Sequence, residues 1–351
     1  MNWRIGKRSA IGIDLGTTRI KAAQLVRTAS GWQLVAGANY ARTEGDGVLV
    51  PSEMDRFLGV LDRAGFSGDR VVVGVPRPML RAAVVDAPPA SSGAPIKKIC
   101  AAEFARMYRM SPGSCQLHVR EVPAAKARPG TSQMSVSGVS NDDAETVVKP
   151  FDSVGMLVEA IDLAAEARCR VSRPVCGSAP TLAALLDIGW SGIGLSVFWE
   201  GRAVYHRWLS DGGMSKLVDS AKRSFSIDAA AAEAVVGRVG ILAPEGEGFD
   251  GLTTARVLGL GREYAEGLFH DILRSLAYVL DRYPGEVVER FFLTGGGAKL
   301  PGLAEYLEEL AGMKFEVLTP GQCGVRGGQM IDDVAMHTAI GHAMWGVDDG
   351  E

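Results

Sequence analysis

The most restrictive feature of the sequence is a pattern that occurs twice: an apolar run, an Asp-x-Gly turn and a second apolar run. The first copy is AIGIDLGTTRIKAAQLV at 10–26, with its acid at Asp14, and the second is LLDIGWSGIGLSVF at 185–198, with its acid at Asp187. Apolar runs that are interrupted by a glycine turn predict a β-hairpin. A third apolar run follows each hairpin. The repeat therefore predicts two similar domains that arose by internal duplication.

Strand and helix patterns alternate through both halves of the chain, which indicates an α/β fold. At roughly 150 residues per domain, the length of 351 residues suggests two domains. We place the first at 1–178 and the second at 179–351. The run FDSVGMLVEAIDLAAEA at 151–167 has apolar residues at helical spacing and predicts a helix. The acidic stretch NDDAE at 141–145 is expected to be a solvated loop.

Composition excludes several classes of protein. Lys and Arg total 37 and Asp and Glu total 41, so the net charge of -4 gives no basis for binding nucleic acid. The five cysteines are odd in number and form no C-x-x-C pair, which favours a reducing compartment. No run approaches the roughly 20 apolar residues of a membrane-spanning helix, and the polar opening MNWRIGKRS is unlike a signal peptide. We therefore expect a cytoplasmic protein that reaches a membrane only indirectly.

Each of three glycine turns follows an apolar strand, where backbone N–H groups can point at a phosphate. The third turn is TGGGA at 294–298. In the first, the Thr17 and Thr18 hydroxyls can donate to phosphate oxygens. Asp14 can hold a hydrated magnesium ion, and Asp187 occupies the equivalent place in the second turn. Two acids beside an anion are expected to need a metal between them.

The order and spacing of these turns resemble the actin-like ATPase superfamily. IGIDLGTTRIKAAQL resembles its first phosphate motif, LLDIGWSGIGLSVF its second and FFLTGGGAKLPGL its adenosine motif. Within the superfamily, the chain is most similar to the PilM family and resembles the type II secretion L protein more weakly. The resemblance implies an actin-like ATPase fold with two duplicated ribonuclease H-like α/β domains. It also implies an inserted FtsA/PilM-type subdomain at about 84–168, with ATP and Mg2+ as cofactors.

The same resemblance implies which residues bind the nucleotide. Lys21 lies in the segment IKAAQL at 20–25, which resembles the family's IKAVEL motif, and it can reach a phosphate. The stretch HRWLSDGG places Gly213 after the third strand, and Glu233 stands at the family's adenosine-contacting AE pair. Asp14 and Asp187 would hold Mg2+ through water. The predicted nucleotide-binding residues are Asp14, Gly16, Thr17, Thr18, Lys21, Asp187, Gly189, Ser191, Gly192, Gly213, Glu233, Gly295, Gly296, Gly297 and Ala298.

The PilM resemblance implies a role in assembly rather than in metabolism. The expected function is that of a cytoplasmic, nucleotide-binding component of type IV pilus assembly, or of related type II secretion. It would bind the N-terminal cytoplasmic peptide of a PilN-like inner-membrane protein and lie at the inner face of the cytoplasmic membrane through that partner. The pilus motor ATPases are further candidate partners, and a ring or other homo-oligomer is a candidate assembly.

Departures from the family pattern bear on ATP hydrolysis. Trp190 and Gly192 occupy the second turn, where the family usually has hydroxyl side chains, and Val236 stands where a lysine is common. We identify no residue that would orient an attacking water. We therefore expect at most a slow ATPase.

Three alternatives stay open. A nucleotide-free scaffold would follow if the altered second turn prevents ATP binding. A sugar kinase-type phosphotransferase would need a catalytic carboxylate and polar sugar-binding residues in the cleft, and no such set is apparent. An FtsA-like membrane-tethered filament protein would need an amphipathic C-terminal helix, whereas the tail GVDDGE is short and acidic.

Overall fold

The computed structural model describes residues 5–43, 47–123, 130–178, 181–242 and 251–346. Within these ranges the chain forms two five-stranded sheets and one three-stranded sheet. The strands are β1 (Ile11–Leu15), β2 (Arg19–Thr28), β3 (Gly31–Ala41), β4 (Arg70–Gly74), β5 (Arg81–Ala87), β6 (Cys115–Val122), β7 (Ser132–Ser140), β8 (Leu157–Asp162), β9 (Leu182–Ile188), β10 (Ile193–Trp199), β11 (Arg202–Leu209), β12 (Val288–Thr294) and β13 (Lys314–Val317).

The two larger sheets repeat one topology. The first has the order β3-β2-β1-β4-β8 and the second has the order β11-β10-β9-β12-β13. In each, three consecutive strands pair antiparallel, and two later strands add on in parallel beside the first. The predicted duplicated α/β fold is therefore confirmed.

Nine α-helices lie within the described ranges. They are α1 (Pro51–Arg63), α2 (Ile96–Tyr108), α3 (Asn141–Asp152), α4 (Ala164–Cys176), α5 (Met214–Phe225), α6 (Ala229–Val239), α7 (Gly251–Arg282), α8 (Leu303–Ala311) and α9 (His337–Ala343). None of the helices in the part of the chain that the structure describes is long and apolar enough to cross a membrane.

The single helix predicted at 151–167 is wrong. That stretch contains the end of α3, the strand β8 and the start of α4. Gly155, at a φ of 78°, follows α3, and β8 then pairs in parallel with β4. Pairing with a neighbouring strand thus overrides a helical spacing of apolar residues, because short apolar runs are compatible with both structures.

The acidic stretch at 141–145 is also not a loop. It forms the start of α3, where the Ser140 hydroxyl accepts a hydrogen bond from the Asp143 N–H over 3.1 Å. Acidic side chains are favoured in the first turn of a helix because they interact with its positive end. The run of acids therefore marks a helix start.

The three-stranded sheet lies between β4 and β8 in the chain and has the order β5-β7-β6. It packs against α2 through a small separate core that includes Cys100, Phe104 and Val136. Its strands lie between Arg81 and Ser140, whereas β8 belongs to the first large sheet. The domain boundaries that we placed from the sequence stay predictions.

Helices α4 and α9 share one core with both large sheets. This core contains Leu25 of β2, Cys169 of α4, Leu185 of β9 and Ile340 of α9. A Cβ atom at Gly341 would overlap the backbone of α4, so the two helices approach closely because this residue is glycine. The joint between the two halves of the molecule is therefore a packed pair of helices.

Two stretches named in the sequence analysis extend outside the described residues. They are the N-terminal segment, at 1–4, and the acidic tail, at 347–351.

Candidate functional site

The first acid of the duplicated pattern is paired with a lysine. Antiparallel pairing of β1 with β2 places Asp14 opposite Lys21, and the Lys21 Nζ lies 2.8 Å from the Asp14 Oδ2. Burial raises the pKa of Asp14, but the charge and hydrogen bond of Lys21 outweigh it, so that the pKa lies below its ordinary value. Both groups are therefore ionised, and the lysine predicted to reach a phosphate is held beside the first turn.

The second acid lies next to the third glycine turn. Asp187, near the end of β9, is paired in register with Thr294, at the end of β12. Gly295 has a φ of 84°, and a Cβ atom there would lie 2.5 Å from the Asp187 Oδ1. Because carboxyl ends of parallel strands meet at one edge of a sheet, the second phosphate turn and the predicted adenosine turn adjoin each other.

Asp187 also forms an ion pair with a residue that was not predicted from the sequence. Arg168, on α4, places its Nη1 3.0 Å from the Asp187 Oδ2, and the Arg168 side chain is only 7% exposed. A Cβ atom at Gly194 of β10 would overlap its guanidinium, so glycine provides the space for this side chain. No local motif predicts the pair, because α4 and β9 bring it together in three dimensions.

The first two turns meet across the cleft. The Thr17 Oγ1 donates to the Ser191 Oγ over 3.2 Å, which joins the two large sheets at their turns. Behind the second turn, a Cβ atom at Gly213 would lie 2.4 Å from the Gly192 nitrogen, and the Met214 N–H donates to the Gly189 oxygen over 3.0 Å. The start of α5 is therefore packed directly against this turn.

A cavity of about 1390 Å³ opens between the turns. Of the predicted nucleotide-binding residues, those that line it are Asp14, Gly16, Thr17, Thr18, Lys21, Asp187, Gly189, Ser191, Glu233, Gly296 and Gly297. The others, Gly192, Gly213, Gly295 and Ala298, pack behind the turns or beside them. Further cavity-lining residues that the prediction missed include Arg168, Trp208 and Lys299.

Helix α6 provides the far wall of this cavity. Asp228 begins the helix by accepting a hydrogen bond from the Ala231 N–H over 2.8 Å. Glu233 lies exposed one turn later, and Val236 and Gly237 line the cavity beside it. The wall is therefore apolar where a lysine would have placed a charge.

The geometry of two duplicated sheets with turns facing one cavity matches known proteins. A family model described as type IV pilus assembly protein PilM matches residues 12–345. The chain belongs to the PilM family. A solved PilM-PilN type IV pilus biogenesis complex is similar to it, with 20% identity and a TM-score of 0.78, covering 97% of this chain and 99% of that chain.

Two other solved structures show the same actin-like fold as this PilM-family chain. The ethanolamine utilization protein EutJ from Carboxydothermus hydrogenoformans has 15% identity and a TM-score of 0.57, covering 98% of this chain and 92% of its own. MreB 5 of Spiroplasma citri, bound to AMPPNP, has 12% identity and a TM-score of 0.55, covering 98% and 97%. No curated protein sequence matches the chain.

In this PilM-family chain the cavity extends from the turns to the three-stranded sheet. There Arg120 of β6 donates to the Ala203 oxygen over 2.7 Å and lies 3.4 Å from Glu166 of α4. His206 of β11 lies 3.7 Å from the same carboxylate. Burial is the main reason that the pKa of His206 falls to about 4, so this histidine is neutral at pH 7. The cluster links the small sheet to the second large sheet.

The cleft presents open backbone at the third turn, and both of its predicted metal-binding acids are paired with cations of the chain. Gly296 and Gly297 line the cavity, and a Cβ atom at Gly296 would meet nothing within 4 Å, so backbone is open to a ligand here. The two predicted metal-binding acids, in contrast, each hold a cation of the chain. Across the described ranges, no group of three His, Cys, Asp or Glu side chains could hold a metal ion.

Proposed function

We propose that this PilM-family protein binds ATP in the cleft and uses the bound nucleotide in type IV pilus assembly. The observation that carries the proposal is the convergence of three glycine turns, from two duplicated sheets, on one cavity. Backbone N–H groups at such turns favour phosphate oxygens, and Lys21 and Arg168 neutralise the two acids beside them and carry N–H donors.

Residues from both halves of the protein would contact the nucleotide. Thr17 and Thr18 of the first turn and Gly189 and Ser191 of the second would hold the phosphates, and the third turn together with Glu233 would hold the adenosine. ATP would supply a polyphosphate that residues of both halves could hold. The nucleotide would therefore stabilise the closed cleft that Thr17 and Ser191 already bridge.

The cleft favours binding over catalysis. The cavity-lining carboxylates Asp14 and Glu166 both have pKa values below their ordinary ones, because nearby cations outweigh the burial that raises them. A carboxylate with a lowered pKa is a weak general base. This supports at most slow hydrolysis, and it disfavours a sugar kinase, which needs a base to activate the sugar hydroxyl.

The partner that fits best is a PilN-like inner-membrane protein. The chain matches a solved PilM-PilN complex over nearly the whole length of both compared chains. This similarity supports binding of the N-terminal cytoplasmic peptide of such a partner. This contact would place the protein at the inner face of the cytoplasmic membrane. Contacts with the motor ATPases, and a ring of several copies, belong to the same proposal.

Calorimetric titration with ATP tests the nucleotide site, and the test variant is Asp228→Ala, which removes the hydrogen bond that begins α6. We expect wild type to bind ATP and the variant to bind it more weakly, because α6 carries the adenosine wall. Asp55→Ala, on the exposed face of α1, is the matched control. Absence of binding by folded wild type would instead establish the nucleotide-free scaffold.

The partner is tested separately, by a pull-down with a peptide that carries the N-terminal cytoplasmic sequence of the PilN-like protein from the same genome. We expect the peptide to retain the folded protein with and without ATP, and a scrambled peptide to retain none. If neither peptide retains it, the assignment of a PilN-like partner is wrong, whatever the titration with ATP has found.

A further inference from the structure

The charges at the two phosphate turns sum to zero without any metal ion. Asp14 pairs with Lys21 and Asp187 pairs with Arg168. The two pairs also interact with each other, since Arg168 contributes to the lowered pKa of Asp14, and Asp187 contributes to the raised pKa of Lys21. The site is therefore a compact group of two acids and two cations.

This arrangement removes one reason for expecting a metal, namely the repulsion between unpaired acids and a phosphate chain. Two unpaired acids would repel a phosphate chain, and a divalent cation would have to screen them. Here each carboxylate already has a cation within 3.0 Å, and all four side chains are less than a fifth exposed, at 19% and 16% for Asp14 and Lys21 and 17% and 7% for Asp187 and Arg168. At such burial the pairs are weakly screened by water.

Arg168 has the chemistry to act on the phosphate side as well as on Asp187. A guanidinium carries five N–H donors in a fixed plane and remains charged at any working pH. Its Nη1 forms the ion pair with Asp187, whereas its buried Nε has no hydrogen-bond partner. The side chain lines the cavity beside the second turn. A donor that is buried without a partner is costly, so this guanidinium has unused hydrogen-bonding capacity beside the second turn.

We propose that Arg168 takes the place of the divalent cation at the second phosphate turn, so that the protein binds nucleoside triphosphate without a requirement for Mg2+. The inference rests on the proposed nucleotide function and deepens it. Arg168 neutralises Asp187 and donates to the phosphate chain, and Lys21 does the same for Asp14 on the opposite side. The altered second turn, with Trp190 and Gly192, has lost hydroxyl donors, and the arginine replaces them.

The test compares the dissociation constant for ATP in excess EDTA with that in excess Mg2+, by calorimetry on the full chain. Wild type is expected to bind with values that agree to within about threefold. Arg168→Met should lose on the order of tenfold in EDTA, which is the size of one charge-assisted hydrogen bond, and recover part of this with Mg2+ once Asp187 is free.

Two further variants isolate the charge of the side chain. Arg168→Lys keeps a cation but loses the planar set of donors, so in EDTA it should bind more tightly than Arg168→Met and more weakly than wild type. Arg173→Met, on the same helix but away from the cavity, should behave as wild type. The thermal unfolding midpoint of each variant with and without ATP gives a second readout, because a ligand that binds the folded state raises it. If Arg168→Met does not fold, the wild-type comparison and Arg168→Lys still decide.

Different results would contradict nucleotide binding and its independence of Mg2+. Binding by wild type that is lost in EDTA and restored by Mg2+ would overturn the inference and leave the nucleotide function intact. No binding under either condition would overturn both. Equal binding in EDTA and Mg2+ by wild type and by Arg168→Met would show that the arginine is not the group that replaces the metal.

Discussion

Close packing against Gly297 holds the third turn in place. A Cβ atom at Gly297 would overlap the Ile188 Cγ2 and lie 2.7 Å from the Met214 Cγ. Ile188 is fully buried in the core of the second sheet. The turn therefore has no room to move toward the sheet, and its backbone faces the cavity for that reason.

This packing predicts unequal effects for two neighbouring substitutions. Gly297→Ala should lower the free energy of unfolding by about 1–3 kcal/mol, because the added methyl group has to displace Ile188. Gly296→Ala should change it by less than about 0.5 kcal/mol, since nothing lies within 4 Å of its Cβ position. Urea unfolding of the two variants measures both values. Equal losses would contradict this description of the turn.

A buried histidine predicts how stability depends on pH. Burial is the first cause that lowers the pKa of His337 to about 3, whereas an unfolded histidine has its ordinary value near 6.5. As the pH falls through this window, the unfolded chain gains a proton that the folded chain does not. The contribution of His337 to the free energy of unfolding is therefore fully present above about pH 6.5. It decreases below that pH, by at most about 1.4 kcal/mol per pH unit.

The variant His337→Gln should lose this contribution. Its free energy of unfolding should fall less steeply than that of wild type between about pH 6 and pH 5, by close to one proton in the linkage slope. Urea unfolding at several pH values gives the slopes, and a lower overall stability of the variant does not affect their comparison. Identical slopes would mean that His337 is protonated in the folded state.

Only some of the contacts of Asp14 and Asp187 follow from the sequence. Asp14 and Asp187 were predicted from their places at strand ends, and both line the cavity. The pairing of Asp14 with Lys21 follows from hairpin register and could have been derived. The pairing of Asp187 with Arg168 could not, because it depends on how α4 packs against the second sheet.

At the scale of elements, the start of α3 depends on one side chain. Ser140 accepts from the Asp143 N–H over 3.1 Å and donates to the carboxylate of the same residue over 2.6 Å. Ser140→Ala should cost about 1 kcal/mol in urea unfolding, since an unmet N–H at a helix start is the main loss. Thr146→Ala, exposed on the same helix, should cost less than about 0.5 kcal/mol. A similar cost for both would contradict the capping role.

The errors at the element scale both concern the segment between β7 and α4. Acidic residues were interpreted as a loop and β8 as part of a helix, although Ser140 and Gly155 supply a start and an end for α3. The hairpins of both large sheets were predicted, because β-branched runs with a glycine turn specify them locally. Parallel strands such as β8 pair with distant residues, so their local pattern is ambiguous.

In the molecule as a whole, hydrogen bonds between described residues join the three-stranded sheet to the second half. Tyr283 of the segment after α7 donates to the Pro123 oxygen, and Arg282 donates to the Gln133 side chain. Arg120 adds the bond to the Ala203 oxygen and the ion pair with Glu166. The sheet has its own small core, so these contacts fix its orientation rather than its fold.

Removing the arginine therefore tests whether the small sheet is held by this junction. Arg120→Met should lower the free energy of unfolding by about 1–3 kcal/mol, because it leaves the partly buried Glu166 carboxylate with only the neutral His206 beside it. The double variant Arg120→Met with Glu166→Gln should recover part of that loss, since no charge is left unpaired. Urea unfolding of the single and double variants measures both effects.

Hydrogen exchange distinguishes a loosened junction from general destabilisation. In Arg120→Met, amides of β5, β6 and β7 should exchange faster, while those of β1 and β9 keep their wild-type order of protection, because sub-global opening is confined to the unit that lost its contact. Arg106→Met is the matched control. This arginine lies on α2 in the same subdomain, and its ion pair with Glu103 is 73% and 42% exposed, so its loss should change neither stability nor exchange. Uniformly faster exchange in Arg120→Met would mean that the small sheet and the large sheets open as one unit.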